Sequence, residues 1–357
     1  MIKQIFSLLF ASLASLALNA QFTVTGRIID SASQQPLTGA SVYAQNTTQG
    51  TITNSNGEFS LPLKSGGYEL IVSFTGYQTK QIQVSGSDSQ LGDILMLQED
   101  KSLQEVIIKS SNEVPDGWEQ YGQFFVDHFI GTTPFASETK LINPEVLKFY
   151  LIKRTNKLRV MATEPIQIRN EALGYELRFQ LDSFIYYYET EINSYRGFCL
   201  YKEMEGHRGQ RAKWAENRAK AYYGSKMHFM RSYYDSSLQQ QGFTIDLKSG
   251  DGENSSFSRL ANPYDVRYYG YIDSTGQVEL WFPHKISVTY TRSKPEPEYL
   301  KQFNLPPDVP MQISYIDLNN AVFIQENGYF HDPRNWINQG YWSWKNLADQ
   351  LPFDYSP

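Results

Sequence analysis

From Phe22 to Leu97 apolar and polar residues alternate in short runs, among them "FTVTGRIID", "GASVYAQNT", "YELIVSFTGYQ", "KQIQVSG" and "DILMLQ". A period of two sends successive side chains to opposite faces of a sheet, so each run reads as a strand buried on one side. Gly, Pro, Asn and Ser punctuate them at the spacing, roughly every 8–12 residues, that marks a β-sandwich. Within "TTQGTITNSNGEF" the pair Asn56-Gly57 falls between two such runs and reads as the turn of a strand–turn–strand hairpin. A calcium loop with Gly57 at its glycine position would begin at Ile52 and end at Leu63, where carboxylates are required, so the stretch is not a metal loop.

The pattern then changes. Residues 99–117, mostly polar and containing Pro115, read as a linker in which Val106-Ile107-Ile108 adds an edge strand. Trp118, Tyr121, Phe125 and Phe129 follow at helical spacing on one face. "VLKFYLIKRTNKLRVMAT" predicts a hairpin turning at Thr155-Asn156. "GYELRFQLDSFIYYY" places Tyr175, Leu177, Phe179 and Leu181 on one side of a one-sided sheet. Between Gln210 and Gln241 the period becomes helical, predicting two helices broken at Gly224, with Ser225 capping the second and Gly242 ending it. Strands resume with a hairpin around Ser274-Thr275-Gly276, and the aromatic C-terminus predicts a short helix over the sheet. The chain is therefore expected to be mainly β: a sandwich over 21–98, then an α+β domain over 118–357 with a large antiparallel sheet and a few helices.

The segments "VTGRIIDSASQQPLTGASV", "TTQGTITNSNGEFSL" and "LIVSFTGYQTKQIQV" resemble the carboxypeptidase regulatory-like domain, a transthyretin-like sandwich of seven strands. Asp30, Gly57 and Tyr77 are among the matching positions, and Asn54 stands where that family usually has Asp. The resemblance implies a fold and an exported Bacteroidetes protein; peptidase activity belongs to a separate domain and is not implied. Four later segments, "INPEVLKF", "ALGYELRFQL", "AYYGSKMHFMRSYY" and "GYWSWKNLADQLPFDY", are similar to the region following this domain in other exported Bacteroidetes proteins, a likeness that implies no activity.

Composition narrows the setting. At 357 residues and 41% hydrophobic, the chain is long enough for two domains with their own cores. Lys3, the apolar stretch Ile5 to Leu18 and small Ala20 read as a secretory signal peptide, residues 1–20, and no cysteine follows to accept a lipid. No later run is apolar enough for a transmembrane helix. The expected location is the periplasm or the outer-membrane surface. A net charge of −6 weighs against nucleic acid as a partner. The single cysteine, Cys199, lies among apolar neighbours and reads as a buried structural thiol.

Catalytic signatures are missing. The five histidines have no partner at metal-ligand spacing, and neither a Gly-x-Ser-x-Gly elbow nor a phosphate-binding loop is present, so no catalytic residue, metal site or cofactor is assigned. Glu189/Glu191 and Glu296/Glu298 read as solvated surface. Two constellations remain as candidate ligand sites. Lys202 to Arg231 holds eight Lys or Arg against three Glu, with Trp214 and Arg218 sharing one helical face and His228 and Arg231 another. These suit anion binding, and equally two amphipathic helices with solvated charge. Trp336, Trp342 and Trp344 suit either a sugar-stacking platform or core packing. The function expected is a non-catalytic envelope protein binding a glycan or protein partner; the alternative is an extracytoplasmic hydrolase using the Arg/His cluster.

Overall fold

A computed structural model of the chain describes residues 21–86, 90–99, 112–250, 255–272, 275–330 and 333–357. The expected signal peptide, the Val106–Ile108 strand and Ser274 lie outside these residues.

Seven strands build the N-terminal sandwich: β1 Gln21–Asp30, β2 Ser41–Ala44, β3 Gly50–Ile52, β4 Glu58–Lys64, β5 Tyr68–Ser73, β6 Lys80–Val84 and β7 Gln90–Met96. They form two sheets, ordered β4-β1-β7 and β3-β2-β5-β6. Inward residues such as Val24, Ile28 and Leu61 of one sheet join Val42, Leu70 and Val72 of the other in a single core. The Asn56-Gly57 turn differs from expectation. β3 pairs with β2, and β4 with β1, so the turn carries the chain from one sheet to the other instead of closing a hairpin. Asn54 shapes it: its Oδ1 accepts the amides of Asn56 at 2.9 Å and Glu58 at 3.0 Å.

Beyond Asn112 the expected antiparallel sheet structure is divided among three sheets. The first has six strands, β8 Thr139–Leu141, β9 Leu147–Ile152, β10 Lys157–Ala162, β11 Ile166–Asn170, β12 Tyr175–Tyr187 and β13 Ile192–Glu203, ordered β8-β11-β12-β10-β9 with β13 along the other edge of β12. Tyr175, Leu177, Phe179 and Leu181 all face its core, and Asn156 makes the β9–β10 turn at φ +42°. Helix α1 (Gly117–Phe129) buries Phe125 and Phe129 there; Trp118, expected on the same buried stripe, lies at the rim and is 36% exposed. A single helical turn, α2 (Pro134–Ser137), follows.

The remaining strands are β14 Phe243–Ser249, β15 Ser256–Arg259, β16 Tyr269–Ile272, β17 Gln277–Leu280, β18 Ile286–Tyr290, β19 Gln312–Leu318, β20 Val322–Ile324 and β21 Trp336–Gly340. They form a five-stranded sheet, β15-β14-β18-β19-β21, and a three-stranded sheet, β16-β17-β20, around a second core. Helices α3 (Arg208–Tyr222), α4 (Lys226–Tyr234) and α5 (Leu238–Gln241) divide the two groups. Ala221 and Tyr222 enter the first core, whereas Phe229, Met230 and Tyr233 enter the second. The helical stretch is thus three pieces, not two: α4 stops at Tyr234, Ser236 turns at φ +55°, and Gly242 closes α5 at φ +88°. The last helices are α6 (Pro297–Gln302) and α7 (Tyr341–Trp344), the latter entered directly from β21.

The sandwich is joined to this body by main-chain bonds. Asn46 N–H donates to Cys199 O at 2.7 Å and Tyr201 N–H to Thr47 O at 2.9 Å, making a parallel bridge between Thr47 and Leu200. The β2–β3 connection therefore adds one rung to the open edge of β13. Tyr43 and Ile71 seal the joint against Phe198 and Leu200.

Candidate functional site

Helix α3 begins at His207, whose ring accepts the Gln210 amide while the Gln210 side chain accepts from His207 N–H. Its i, i+3, i+4 row of Trp214, Asn217 and Arg218 faces the tight turn before β12. Trp214 Nε1 donates to Glu171 O (2.8 Å), Asn217 Nδ2 to Ala172 O (2.8 Å) and Arg218 Nε to Leu173 O (2.7 Å). A second Arg218 nitrogen reaches Gly174 O at 3.2 Å, and a third pairs with Glu203 at 3.0 Å. Four successive carbonyls are thereby satisfied by one helix face. The guanidinium also lies 3.9 Å from the centre of the Tyr175 ring. Each of the three guanidinium nitrogens thus has a partner within the protein.

Helix α4 spends its charge in the same way. Ser225 caps it by accepting the His228 amide at 3.1 Å, as expected. His228 is buried among Tyr222, Tyr223, Phe243 and Tyr290. Gly224 N–H donates to its Nδ1 (3.1 Å), so the ring proton sits on Nε2 and donates to Gln241 Oε1 (3.2 Å). Burial, with Arg292 and Arg231 nearby, lowers its pKa from the usual 6.5 to about 4, so the ring is neutral at neutral pH. Arg231 grips three carbonyls at 3.0 Å each: Asn327, Phe353 and Tyr355.

Three lysines of the basic stretch face carboxylates. Lys202 faces Glu176, Lys213 faces Glu138 and Lys220 faces Glu216. The aromatic trio is equally internal. Trp336, Trp342 and Trp344 are 6%, 6% and 3% exposed, so they form no sugar-stacking platform. Trp342 Nε1 donates to Gly224 O at 2.7 Å and Trp344 Nε1 to Gln302 at 2.9 Å, tying α7 to the α3–α4 break and to α6. The seven predicted residues do not converge on one cleft; six of them donate hydrogen bonds that hold segments together. Cys199 is fully buried with its thiol pKa pushed up by desolvation.

Two features escaped the sequence reading. Glu296 is not solvated surface: Lys345 Nζ lies 2.5 Å from it and 3.0 Å from Asp349, and Tyr341 donates to Glu296 at 3.3 Å. Thr133, the N-cap of α2, donates to the other Asp349 oxygen at 2.7 Å. The ammonium sits 4.8 Å from the centre of the Trp344 ring. Desolvation raises the Asp349 pKa, opposed by Lys345. Residues spaced tens of positions apart leave no local motif, so only the tertiary fold brings this cluster together. The second is a half-open groove of about 550 Å³ along α6, lined by Pro295, Pro297, Leu300, Leu305, Pro307 and Val309 with Lys294 and Lys301. Among the described residues, no group of three or more His, Cys, Asp or Glu is placed to hold a metal ion.

Residues 24–108 match the family of the CarboxypepD_reg-like domain, and the two-sheet sandwich fits that fold. TonB-dependent receptor P39 of Formosa agariphila is 34% identical over 104 residues, 29% of this chain and 10% of the receptor. TonB-dependent receptor SusC of Bacteroides thetaiotaomicron is 33% identical over 94 residues, 26% of this chain and 9% of the receptor. The chain thus spans about a tenth of the length of these receptors. A type II cohesin–X-dockerin complex from Acetivibrio cellulolyticus overlaps 22% of this chain and 59% of its own at 29% identity and a TM-score of 0.20. No helix among the described residues is long and apolar enough to cross a membrane.

Proposed function

We propose that the chain is an exported, non-catalytic binding or interaction protein of the cell envelope, with its sandwich and C-terminal body acting as one rigid unit. Envelope association is supported by the likeness of its N-terminal region to two TonB-dependent receptors. The observation that carries the non-catalytic reading is that every side-chain nitrogen of Arg218, His228 and Arg231 already has a partner within the protein, mostly backbone groups, with Glu203 and Gln241 supplying the others. A general base or an anion clamp needs polar atoms facing a cleft, whereas these three residues turn their nitrogens to partners inside the protein. The rival reading, a hydrolase built on that cluster, loses its residues by the same argument.

The partner class is an envelope protein or a polysaccharide, reached in the periplasm or at the outer-membrane surface. The test is a screen of the full chain against envelope polysaccharides, peptidoglycan fragments and detergent-solubilised envelope proteins, with fractionation of the producing cells. Saturable binding without turnover, in envelope fractions, is expected. Cleavage of any screened substrate that survives removal of contaminants, or recovery of the chain in the cytoplasm, sinks the proposal.

A further inference from the structure

We propose that the groove along α6 binds a single-chain aliphatic anion, a hydrocarbon tail ending in a carboxylate. This deepens the reading of the chain as a binding protein and rests on it. The groove has the size, about 550 Å³, and the mostly apolar lining usual for small-molecule sites, with two polar groups to set orientation. Both of those groups are ammonium ions. Among the described residues neither Lys294 nor Lys301 makes an ion pair within 4 Å, whereas most other lysines of the body do. Glu298 and Asp308 belong to the same segment but do not line the groove. Glu296, half-buried, pairs with Lys345. The charged groups that line the groove itself are thus both cationic.

The hydrocarbon side of the argument comes from the backbone. Pro295, Pro297 and Pro307 have no N–H to offer. The amides of Leu300, Leu305 and Val309 donate to Glu296 O, Leu300 O and Pro306 O. A peptide laid in the groove would lose water from all of its carbonyls, while the lining offers donors only to those that reach the Lys294 and Lys301 ammonium groups. An alkyl chain has no such groups to desolvate. The walls are also preformed, because Gln312 Nε2 holds Lys294 O at 3.1 Å and the Lys345 cluster holds the start of α6.

The experiment is calorimetric titration of the full chain with decanoate, 1-decanol and decyltrimethylammonium, each below its aggregation concentration, with acetate as the tail-less control. Decanoate is expected to bind saturably at one site, at least about tenfold tighter than the neutral or cationic chain, as two partly exposed ammonium contacts allow. The double variant Lys294→Gln, Lys301→Gln should lose that tenfold advantage and retain 1-decanol binding. Leu305→Ser, at a position 39% exposed, should weaken all three chains while leaving the denaturation midpoint close to wild type. Equal affinity for anionic and cationic chains, indifference to the lysine substitutions, or no saturable decanoate binding overturns the proposal. A positive polysaccharide or protein partner alongside a null decanoate result separates its failure from failure of the broader reading.

Discussion

Gly57 and His228 show how single positions are constrained by surroundings a linear reading does not contain. Gly57 has φ +74°, and a Cβ there would stand 2.4 Å from Ile28 O, a backbone atom that cannot step aside. Gly57→Ala should therefore cost about 2–4 kcal/mol, the sum of a left-handed alanine and a steric clash, read as a lowered denaturation midpoint. Asp30, another of the family-like positions, holds the end of β1 by accepting from Ser33 and Ala32 amides and from Tyr77 and Gln98 side chains, which keeps its pKa far below the usual carboxylate range. His228 carries the pH dependence. The unfolded chain protonates this ring near pH 6.5 and the folded chain only near pH 4, so between those values the unfolded state binds the extra proton. Stability contributed by His228 is complete above pH 6.5 and lost on acidification towards pH 4, by about 2–3 kcal/mol. Denaturation of wild type and His228→Asn across this range should give curves that converge as pH falls; parallel curves would refute the assignment.

At the scale of elements, alternation was a good guide to strands and a poor one to how they associate. Tyr175, Leu177, Phe179 and Leu181 face one core as their spacing predicts, yet nothing in that spacing says that β12 belongs to a different sheet from β14. The helical period of Trp214, Asn217 and Arg218 was also legible. Its partner, the run of carbonyls from Glu171 to Gly174, was not, because a backbone carbonyl has no signature in sequence. Arg218→Lys should fail to replace the forked guanidinium and destabilise by about 1.5–3 kcal/mol in chemical denaturation. Lys345→Met should cost more, about 3–5 kcal/mol, since it leaves Asp349 buried without its cation. A smaller loss than for Arg218→Lys would mean that Asp349 is neutral in the folded protein.

For the whole molecule the deciding feature is the seam between sandwich and body. The C-terminal segment runs along it: Asp354 accepts from Thr48 N–H and Thr48 Oγ1 and from Gln49 Nε2, Lys64 donates to Asp354 O, and Arg231 holds the carbonyls on either side. Asn327 Nδ2 reaches Gly67 O across the same seam. The double variant Arg231→Gln, Asp354→Ala should uncouple the units: calorimetry should resolve two unfolding transitions where wild type shows one, and proteolysis should release the sandwich intact. A single transition in the variant would show that the Thr47–Leu200 bridge and the Tyr43–Phe198 contact suffice alone.

Local order was written in the chain. Period-two and helical spacing, turn residues such as Asn54 and Gly57, and the Ser225 cap each act within a few residues, so they are visible one segment at a time. The expected envelope setting and the family-like sandwich followed from the same kind of short-range pattern. What tertiary structure alone decided was the fate of the charged and aromatic residues. Arg218, His228, Arg231 and the three tryptophans have side chains equally suited to ligands and to joints, and burial made them joints. The lysines and prolines of the α6 groove carried no motif, and the fold left them open. Partners of that kind lie far apart in sequence, so hydrogen-bond saturation and exposure are settled only when the sheets and helices meet.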